Sequence, residues 1–191
     1  MALESTVKNM FVSLTVICLV CSALLGGAYA ITKDKIDEAE VNKQNEAIAR
    51  VVPEFDNIPS EEVFEVELEG KKYAVYPAKL SGEVVGYAIN TSATGFSGPV
   101  VIMVGITAEG RIFNTVPVSH AETPGLGAKI SEEGNPFVEQ FRDMDPSATV
   151  LKVKKDGGDI DAITASTITS RAYTAAVESA WMVFNKIKEE K

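Results

Sequence analysis

An uncharged run near the N-terminus constrains this chain more than any other feature. Residues Met10 to Ile31 form 22 consecutive positions without a charged side chain. With a rise of about 1.5 Å per residue, a helix of this length crosses a hydrocarbon layer of about 30 Å. The apolar core of a secretory signal is shorter, about 7–15 residues, so the sequence favours a retained single membrane span. The alternative is a cleaved signal, since Ala28-Tyr29-Ala30 resembles a cleavage site.

The rest of the chain is acidic. The net charge of −9 belongs to the residues after position 30, because Glu4 and Lys8 cancel before it. An acidic domain with one histidine and no basic run argues against binding to nucleic acid. Charges flank the apolar run on both sides, Lys8 before it and Lys33 and Lys35 after it, so the positive-inside rule gives no orientation.

Hydrophobic spacing divides the chain into four segments: a short tail at 1–9, the transmembrane anchor at 10–31, a stalk helix and linker at 32–60, and a domain at 61–191. The stalk helix is predicted over 33–52 and ends at Pro53. The predicted strands are Val63–Leu68, Lys72–Leu80, Val84–Thr91, Pro99–Thr107, Arg111–Ser119 and Ala148–Lys154. A short helix over Asn135–Met144 and an amphipathic helix over about 167–188 follow from helical spacing. Short turns between the strands predict an α+β fold with a mainly antiparallel sheet packed with helices.

A hydroxyl-rich segment, Asp161 to Ser170, opens the predicted last helix. Serine and threonine are common N-cap residues, so the segment is first of all typical of a helix start. A helix start is also a favourable anion site, because its unpaired N–H groups and its positive dipole end point in the same direction. The residues alone leave both interpretations open, a simple cap or a phosphate site.

A glycine-containing loop, His120 to Gly127, is the second candidate site. It can be a surface turn in which glycines supply positive φ angles. It can also be a backbone wall that lies close to a flat ligand, with His120, Glu122 and Thr123 beside it. The Gly95–Pro99 turn is interpreted as structural.

Several classes of active site do not fit this sequence. The single histidine has no cysteine to pair with, and the sequence has no Gly-x-Ser-x-Gly elbow, so conventional hydrolase chemistry does not fit. Zinc-ligand spacing, the Walker loop and the dinucleotide fingerprint are also absent from the sequence. We therefore expect binding or electron carriage, with no catalytic residue and no metal ligand.

The combination of anchor, stalk, glycine loop and final motif resembles the covalent-FMN-binding domain of the G subunit of Rnf electron-transport complexes. That family is related to the C subunit of sodium-pumping NADH:quinone oxidoreductase. Its flavin-transfer signature is approximately Asp-(Gly/Ala)-x-(Ser/Thr)-(Gly/Ala)-Ala-(Thr/Ser), which corresponds here to Asp161 through Thr167. The resemblance implies FMN esterified to Thr167 and recognition of Asp161 by a flavin transferase. The family often has Gly-Ala where this chain has Ala165-Ser166.

The same resemblance implies the remaining functional expectations. Further cofactor contacts are expected at His120, Glu122, Thr123, Leu126, Gly127, Thr164, Ser166 and Thr169. The protein would relay electrons through covalent FMN in an ion-translocating ferredoxin:NAD oxidoreductase complex, without turnover of its own. Its partners would be the other Rnf subunits, and the flavin transferase during maturation. It would be a single-pass protein of the bacterial inner membrane with its bulk extracytoplasmic. The alternatives are an FMN-binding subunit of another membrane reductase, and an anchored binding module without a cofactor.

Overall fold

The N-terminal part of the chain is one long helix. The structure, a computed structural model, describes residues 6–190, so residues 1–5 of the predicted tail and Lys191 lie outside it. Helix α1, Val7–Val51, includes both the predicted anchor and the predicted stalk helix without a break. Within the described residues, α1 is the one helix long and apolar enough to cross a membrane. Its large apolar side chains up to Ile31 are exposed, as lipid-facing side chains would be.

The chain divides into two compact units, one ending at Asn42 and one from Lys43 onward. The second unit contains a five-stranded antiparallel sheet in the order β1-β2-β3-β4-β5. The strands are β1 (Phe64–Leu68), β2 (Lys71–Leu80), β3 (Glu83–Thr94), β4 (Pro99–Thr107) and β5 (Ile112–Ser119). Ser81 and Gly82 both have positive φ between β2 and β3, which matches the right-handed twist of a tight hairpin. The predicted α+β class is confirmed.

Each face of the sheet is covered by a helical segment of this unit. Helix α3, Thr167–Glu189, packs on one face, where Tyr173 and Phe184 are buried in the main core. The last turns of α1 pack on the other face through Ala47, Ile48 and Val51. Gly105 of β4 permits this contact, because a Cβ there would lie 1.5 Å from the carbonyl oxygen of Val51.

The predicted strand Ala148–Lys154 was wrong. The structure has a 3-10 helix, Lys154–Asp156, and a single bridge between Val153 and Ile160. Leu151 and Val153 are buried while Lys152 between them is exposed. The alternation therefore reflects burial of an irregular segment rather than pairing with another strand. The predicted helix over Asn135–Met144 is also shorter than expected, since α2 covers Pro136–Glu139 only.

Candidate functional site

Both candidate segments meet at one pocket of about 320 Å³. The start of α3, the glycine loop and the tip of the β3–β4 turn form its walls. Its lining residues are Phe96, Glu122, Thr123, Leu126, Gly127, Ala165, Ser166, Thr167, Ile168 and Thr169. A larger cavity of about 580 Å³ contains none of the predicted site residues and is lined by mixed charges such as Glu46, Arg50 and Arg142. The smaller pocket therefore carries the candidate chemistry.

The Glu122 carboxylate joins the three walls of this pocket. Its Oε2 accepts a hydrogen bond from the Thr169 hydroxyl at 2.5 Å, and its Oε1 accepts one from the Ser97 backbone N–H at 3.0 Å. Burial acts to raise the pKa of Glu122, but the bonds from Thr169, Ser97 and the Phe96 backbone outweigh it and lower the pKa below its ordinary value. Glu122 is therefore a buried, ionised acceptor that holds the pocket together.

Two glycines make room for this carboxylate. A Cβ at Gly127 would lie 2.5 Å from both Glu122 Oε2 and Thr169 Oγ1. A Cβ at Gly95 would lie 2.5 Å from Glu122 Oε1. Gly95 and Gly127 are thus required because their backbones lie close to Glu122. Gly95 belongs to the turn that the sequence alone indicated as structural, and its role here is indeed packing.

Helix α3 begins with an unpartnered hydroxyl. Ser166 occupies the N-cap position, but its side chain makes no capping hydrogen bond. Only 6% of Ser166 is exposed, and its Oγ has no hydrogen-bond partner among the described residues. A buried hydroxyl without a partner is costly, and this one lies where the first N–H groups of α3 also lack intrahelical acceptors. The cap interpretation therefore does not explain the Ser166 side chain.

The backbone before α3 is held in an uncommon conformation. Ala165 has a φ of 60°, which favours glycine over residues with a Cβ. Ser170 fixes the turn from within the helix, because its Oγ accepts from the Ile163 N–H and donates to the Ser166 carbonyl, each at 3.0 Å. These contacts hold Thr167 half-buried at the pocket wall.

A lysine reaches Thr167 from outside the pocket. Lys155 Nζ lies 3.2 Å from Thr167 Oγ1. The neighbouring Lys154 pairs with Asp161 at 2.7 Å. Gln140 holds the backbone of Asp161 through both its N–H and its carbonyl, while the carboxylate itself is 68% exposed. Asp161 therefore has a fixed backbone and an accessible side chain.

Three of the predicted site residues do not line the pocket: His120, Thr164 and Asp161. His120 Nδ1 accepts from the Glu122 N–H at 3.3 Å, so Nε2 carries the proton towards Ser131 Oγ at 2.8 Å. The imidazole thus holds the loop that carries Glu122. Thr164 is exposed, one turn before the helix. Contacts of His120 and Thr164 with a cofactor, and recognition of Asp161 by a flavin transferase, stay predictions.

Comparison with known proteins identifies the pocket-bearing part of the chain. Residues 95–181 match the FMN-binding domain family. The G subunit of the ion-translocating oxidoreductase complex of Stutzerimonas stutzeri is 36% identical over 172 residues, which cover 86% of this chain and 75% of that protein. The chain belongs to the G-subunit family of ion-translocating oxidoreductase complexes. The Shewanella piezotolerans member of this family is 32% identical, and the match covers 98% of this chain and 93% of that protein.

Two further relatives extend this comparison. The G subunit of the proton-translocating ferredoxin:NAD(+) oxidoreductase complex of Clostridium ljungdahlii is 31% identical, with 88% of this chain and 86% of that protein covered. The crystal structure of the C subunit of the Na(+)-translocating NADH-quinone reductase from Parabacteroides distasonis has the same fold, with a TM-score of 0.55 and 22% identity. That likeness covers 81% of this chain and 94% of the solved chain. The predicted family is confirmed.

The pocket of this family member fits a flavin nucleotide. Its volume of about 320 Å³ is at the lower end of the range for ligand pockets, about 300–1,000 Å³. The unpartnered Ser166 Oγ and the start of α3 suit a phosphate. The exposed side chains of Phe96 (69%), Ile168 (47%) and Leu126 (43%) give the pocket an apolar rim that suits a flat ring.

Sequence reasoning missed five residues of this site: Phe96, Ala165, Ile168, Ser170 and Lys155. Phe96 lies between two glycines, and an aromatic residue at the tip of such a turn was a usable signal. Ile168 stands among hydroxyls where an apolar residue breaks the polar pattern. Lys155 gave no signal, since its contact with Thr167 depends on how the irregular segment before Ile160 folds back.

Proposed function

We propose that this protein carries FMN as a phosphoester on Thr167 and relays electrons through it within a membrane oxidoreductase complex. The observation that carries the proposal is the unpartnered, buried Ser166 Oγ beside Thr167 at the start of α3. A phosphate on Thr167 would supply the missing acceptor for this hydroxyl and for the first N–H groups of the helix. Bound FMN supplies electron-transfer chemistry that amino-acid side chains lack.

The chain's own residues then have distinct tasks. Phe96, Leu126 and Ile168 exclude water from the ring side of the pocket. Glu122 links the two loops to α3 through its hydrogen bonds with Ser97 and Thr169. A covalent tether suits a carrier outside the cytoplasm, because a dissociated flavin would be lost there.

Membership of the family makes the chain an electron-carrying subunit of an oxidoreductase complex, anchored to a membrane through α1. The proposed location is the bacterial inner membrane, with the FMN-binding domain on the extracytoplasmic side. The proposed partners are the other subunits of a ferredoxin:NAD oxidoreductase complex, as named for the Clostridium ljungdahlii relative. A flavin transferase would act during maturation and read Asp161, whose carboxylate is accessible.

The test is denaturing electrophoresis of the full chain coexpressed with a flavin transferase. The wild-type band should fluoresce under ultraviolet light. The mass of the intact protein should exceed that of the unmodified chain by one FMN attached through its phosphate. Thr167→Ala should be dark, while the matched Thr167→Ser variant keeps a hydroxyl and should fluoresce. A dark wild-type band in the presence of the transferase would reject the proposal. Fluorescence of Thr167→Ala would move the attachment elsewhere, with Ser166 examined first.

A further inference from the structure

Three consecutive charged residues before the hydroxyl-rich segment each contact it or α3. Lys154 pairs with Asp161 at 2.7 Å, and Lys155 contacts the Thr167 hydroxyl at 3.2 Å. Asp156 binds Arg171 through two bonds of 2.7 Å each. The 3-10 helix Lys154–Asp156 is therefore bound to the segment that carries Thr167 at both of its ends.

The backbone around Lys155 is fixed as well. The Lys154 N–H donates to the Ile160 carbonyl at 2.8 Å, and Gly157 ends the 3-10 helix with a φ of 82°. A Cβ at Gly158 would lie 2.0 Å from the Lys152 carbonyl oxygen, so the chain folds back tightly there. The backbone of Lys155 is thus held in place by the fold, and its exposed side chain reaches Thr167 from there.

Lys155 differs from Lys154 and Arg171 in having no carboxylate within ion-pair distance in the described part of the chain. Lys154 and Arg171 are each paired with a carboxylate. No carboxylate lies within ion-pair distance of Lys155 in residues 6–190, where its one described hydrogen bond is to the neutral Thr167 hydroxyl and Asp156 attracts it only at longer range. The cluster of Lys154, Lys155 and Arg171 with Asp156 and Asp161 therefore has one excess positive charge, and Lys155 is the cation that contacts Thr167.

We infer that Lys155 positions the Thr167 hydroxyl for phosphoester formation and then serves as the counter-ion of the phosphodiester. This inference rests on the proposed function. Lysine binds phosphate as a compact charge with several donors. The same ammonium group that holds the Thr167 oxygen in one direction can bind the phosphate oxygens once that oxygen is esterified.

The step balances with FAD as the co-reactant. Thr167 Oγ1 forms a bond to the phosphorus on the riboflavin side of FAD, and the bond from that phosphorus to the bridging oxygen breaks. AMP leaves with the bridging oxygen, and no oxidation or reduction occurs. The hydroxyl proton passes to a base of the transferase, because an ammonium group cannot accept it. The product phosphodiester carries one negative charge, opposite the one positive charge of Lys155.

The experiment measures the rate at which the full chain is loaded with FMN by purified flavin transferase and FAD. Lys155→Gln should load about ten- to a hundredfold more slowly, the range expected for loss of one hydrogen bond to a charged group. Lys155→Arg keeps a cationic donor and should load close to the wild-type rate. The matched control is Lys152→Gln, an exposed lysine of the same segment, which should load as the wild type does. Thermal unfolding of each unloaded variant checks that the fold is unchanged.

A second measurement separates positioning from recognition by the transferase. After complete loading, the ³¹P resonance of the phosphodiester should shift in Lys155→Gln and stay unchanged in Lys152→Gln. A slow Lys155→Gln variant whose ³¹P resonance matches the wild type would assign Lys155 to transferase recognition and overturn the inference. Equal loading rates for Lys155→Gln and wild type would overturn it too. Failure of the wild type to load at Thr167 would instead refute the proposed function.

Discussion

Replacing Thr169 with valine removes one hydroxyl from the wall of the candidate pocket and leaves the volume of the side chain almost unchanged. In the wild type this hydroxyl donates to Glu122 Oε2 at 2.5 Å, and both residues are buried, with exposures of 1% and 5%. A hydrogen bond to a charged group contributes about 1.5–3 kcal/mol. We therefore expect Thr169→Val to lower the free energy of unfolding by about 1.5–3 kcal/mol at pH 7, where Glu122 is ionised.

The measurement is urea unfolding of the full chain in detergent micelles, followed by tryptophan fluorescence. Trp181 is the only tryptophan, and its ring stacks on Phe184 of α3 at 5.6 Å, so its emission reports the packing of that helix. The matched control is Thr174→Val, one position of the same helix whose buried hydroxyl donates to the Ser170 carbonyl instead. Loss of that neutral bond should lower the free energy of unfolding by about 0.5–1.5 kcal/mol.

The difference in free energy of unfolding between the wild type and Thr169→Val should depend on pH. The pKa of Glu122 in the folded protein is lower than its ordinary value of 4.5. Its ionised form therefore stabilises the fold fully above about pH 4.5, and this contribution is lost as the pH falls through the lower folded-state pKa. The stability gap should narrow over that acidic range, as a charged acceptor becomes neutral. Two results would refute the assignment of Glu122 as an ionised acceptor. One is an equal decrease in the free energy of unfolding in Thr169→Val and Thr174→Val, and the other is a difference between Thr169→Val and wild type that does not change in acid.

Three other substitutions test separate parts of the pocket. Ala165→Gly should raise the free energy of unfolding by about 0.5–1 kcal/mol, because φ is 60° there; a lower melting temperature would contradict this. Gly127→Ala should destabilise the domain by about 1–3 kcal/mol in urea unfolding, since its Cβ would meet Glu122 and Thr169 at 2.5 Å; wild-type stability would show that the loop relaxes freely. Phe96→Ala should leave the melting temperature nearly unchanged, as Phe96 is 69% exposed. If FMN is attached as proposed, Phe96→Ala should increase the quenching of its fluorescence by iodide, and unchanged quenching would show that Phe96 does not cover the ring.

The sheet and helix α3 were predictable because each follows from a local sequence pattern: glycine turns between the strands, and apolar residues at helical spacing in α3. Strands β1 to β5 are separated by short glycine turns, and α3 repeats apolar residues with helical spacing, as its buried residues Tyr173, Ala180 and Phe184 illustrate. The segment Ala148–Lys154 had the alternation of a strand without a partner strand. Its backbone bonds go elsewhere, for example from the Val150 N–H to the Asp159 carboxylate at 2.7 Å. The sequence indicated that alternate residues of this segment are buried, but it did not indicate that the segment lacks a partner strand.

The site was predictable where its chemistry lies in short motifs. Glu122, Gly127, Ser166 and Thr167 line one pocket, although the glycine loop and the helix start are far apart in sequence. The individual roles were less accessible. A cofactor contact of Glu122 stays a prediction, but the bonds of its carboxylate to Thr169 and Ser97 were not foreseen. These bonds form only when three separate segments of the backbone come close to the Glu122 side chain, and no local sequence pattern contains that information.

The order of the strands has a consequence for how the protein matures. Every strand pairs with its neighbour in sequence, so the sheet can form by local steps with short loops to close. Helix α3 follows all five strands and packs on β1, β3 and β4, so its docking closes much longer stretches of chain. We therefore expect Thr167 to reach the part of the pocket that contains Glu122 only after α3 has docked. A flavin on Thr167 would therefore mark a chain that has completed folding, and unfinished chains would present the motif without its pocket.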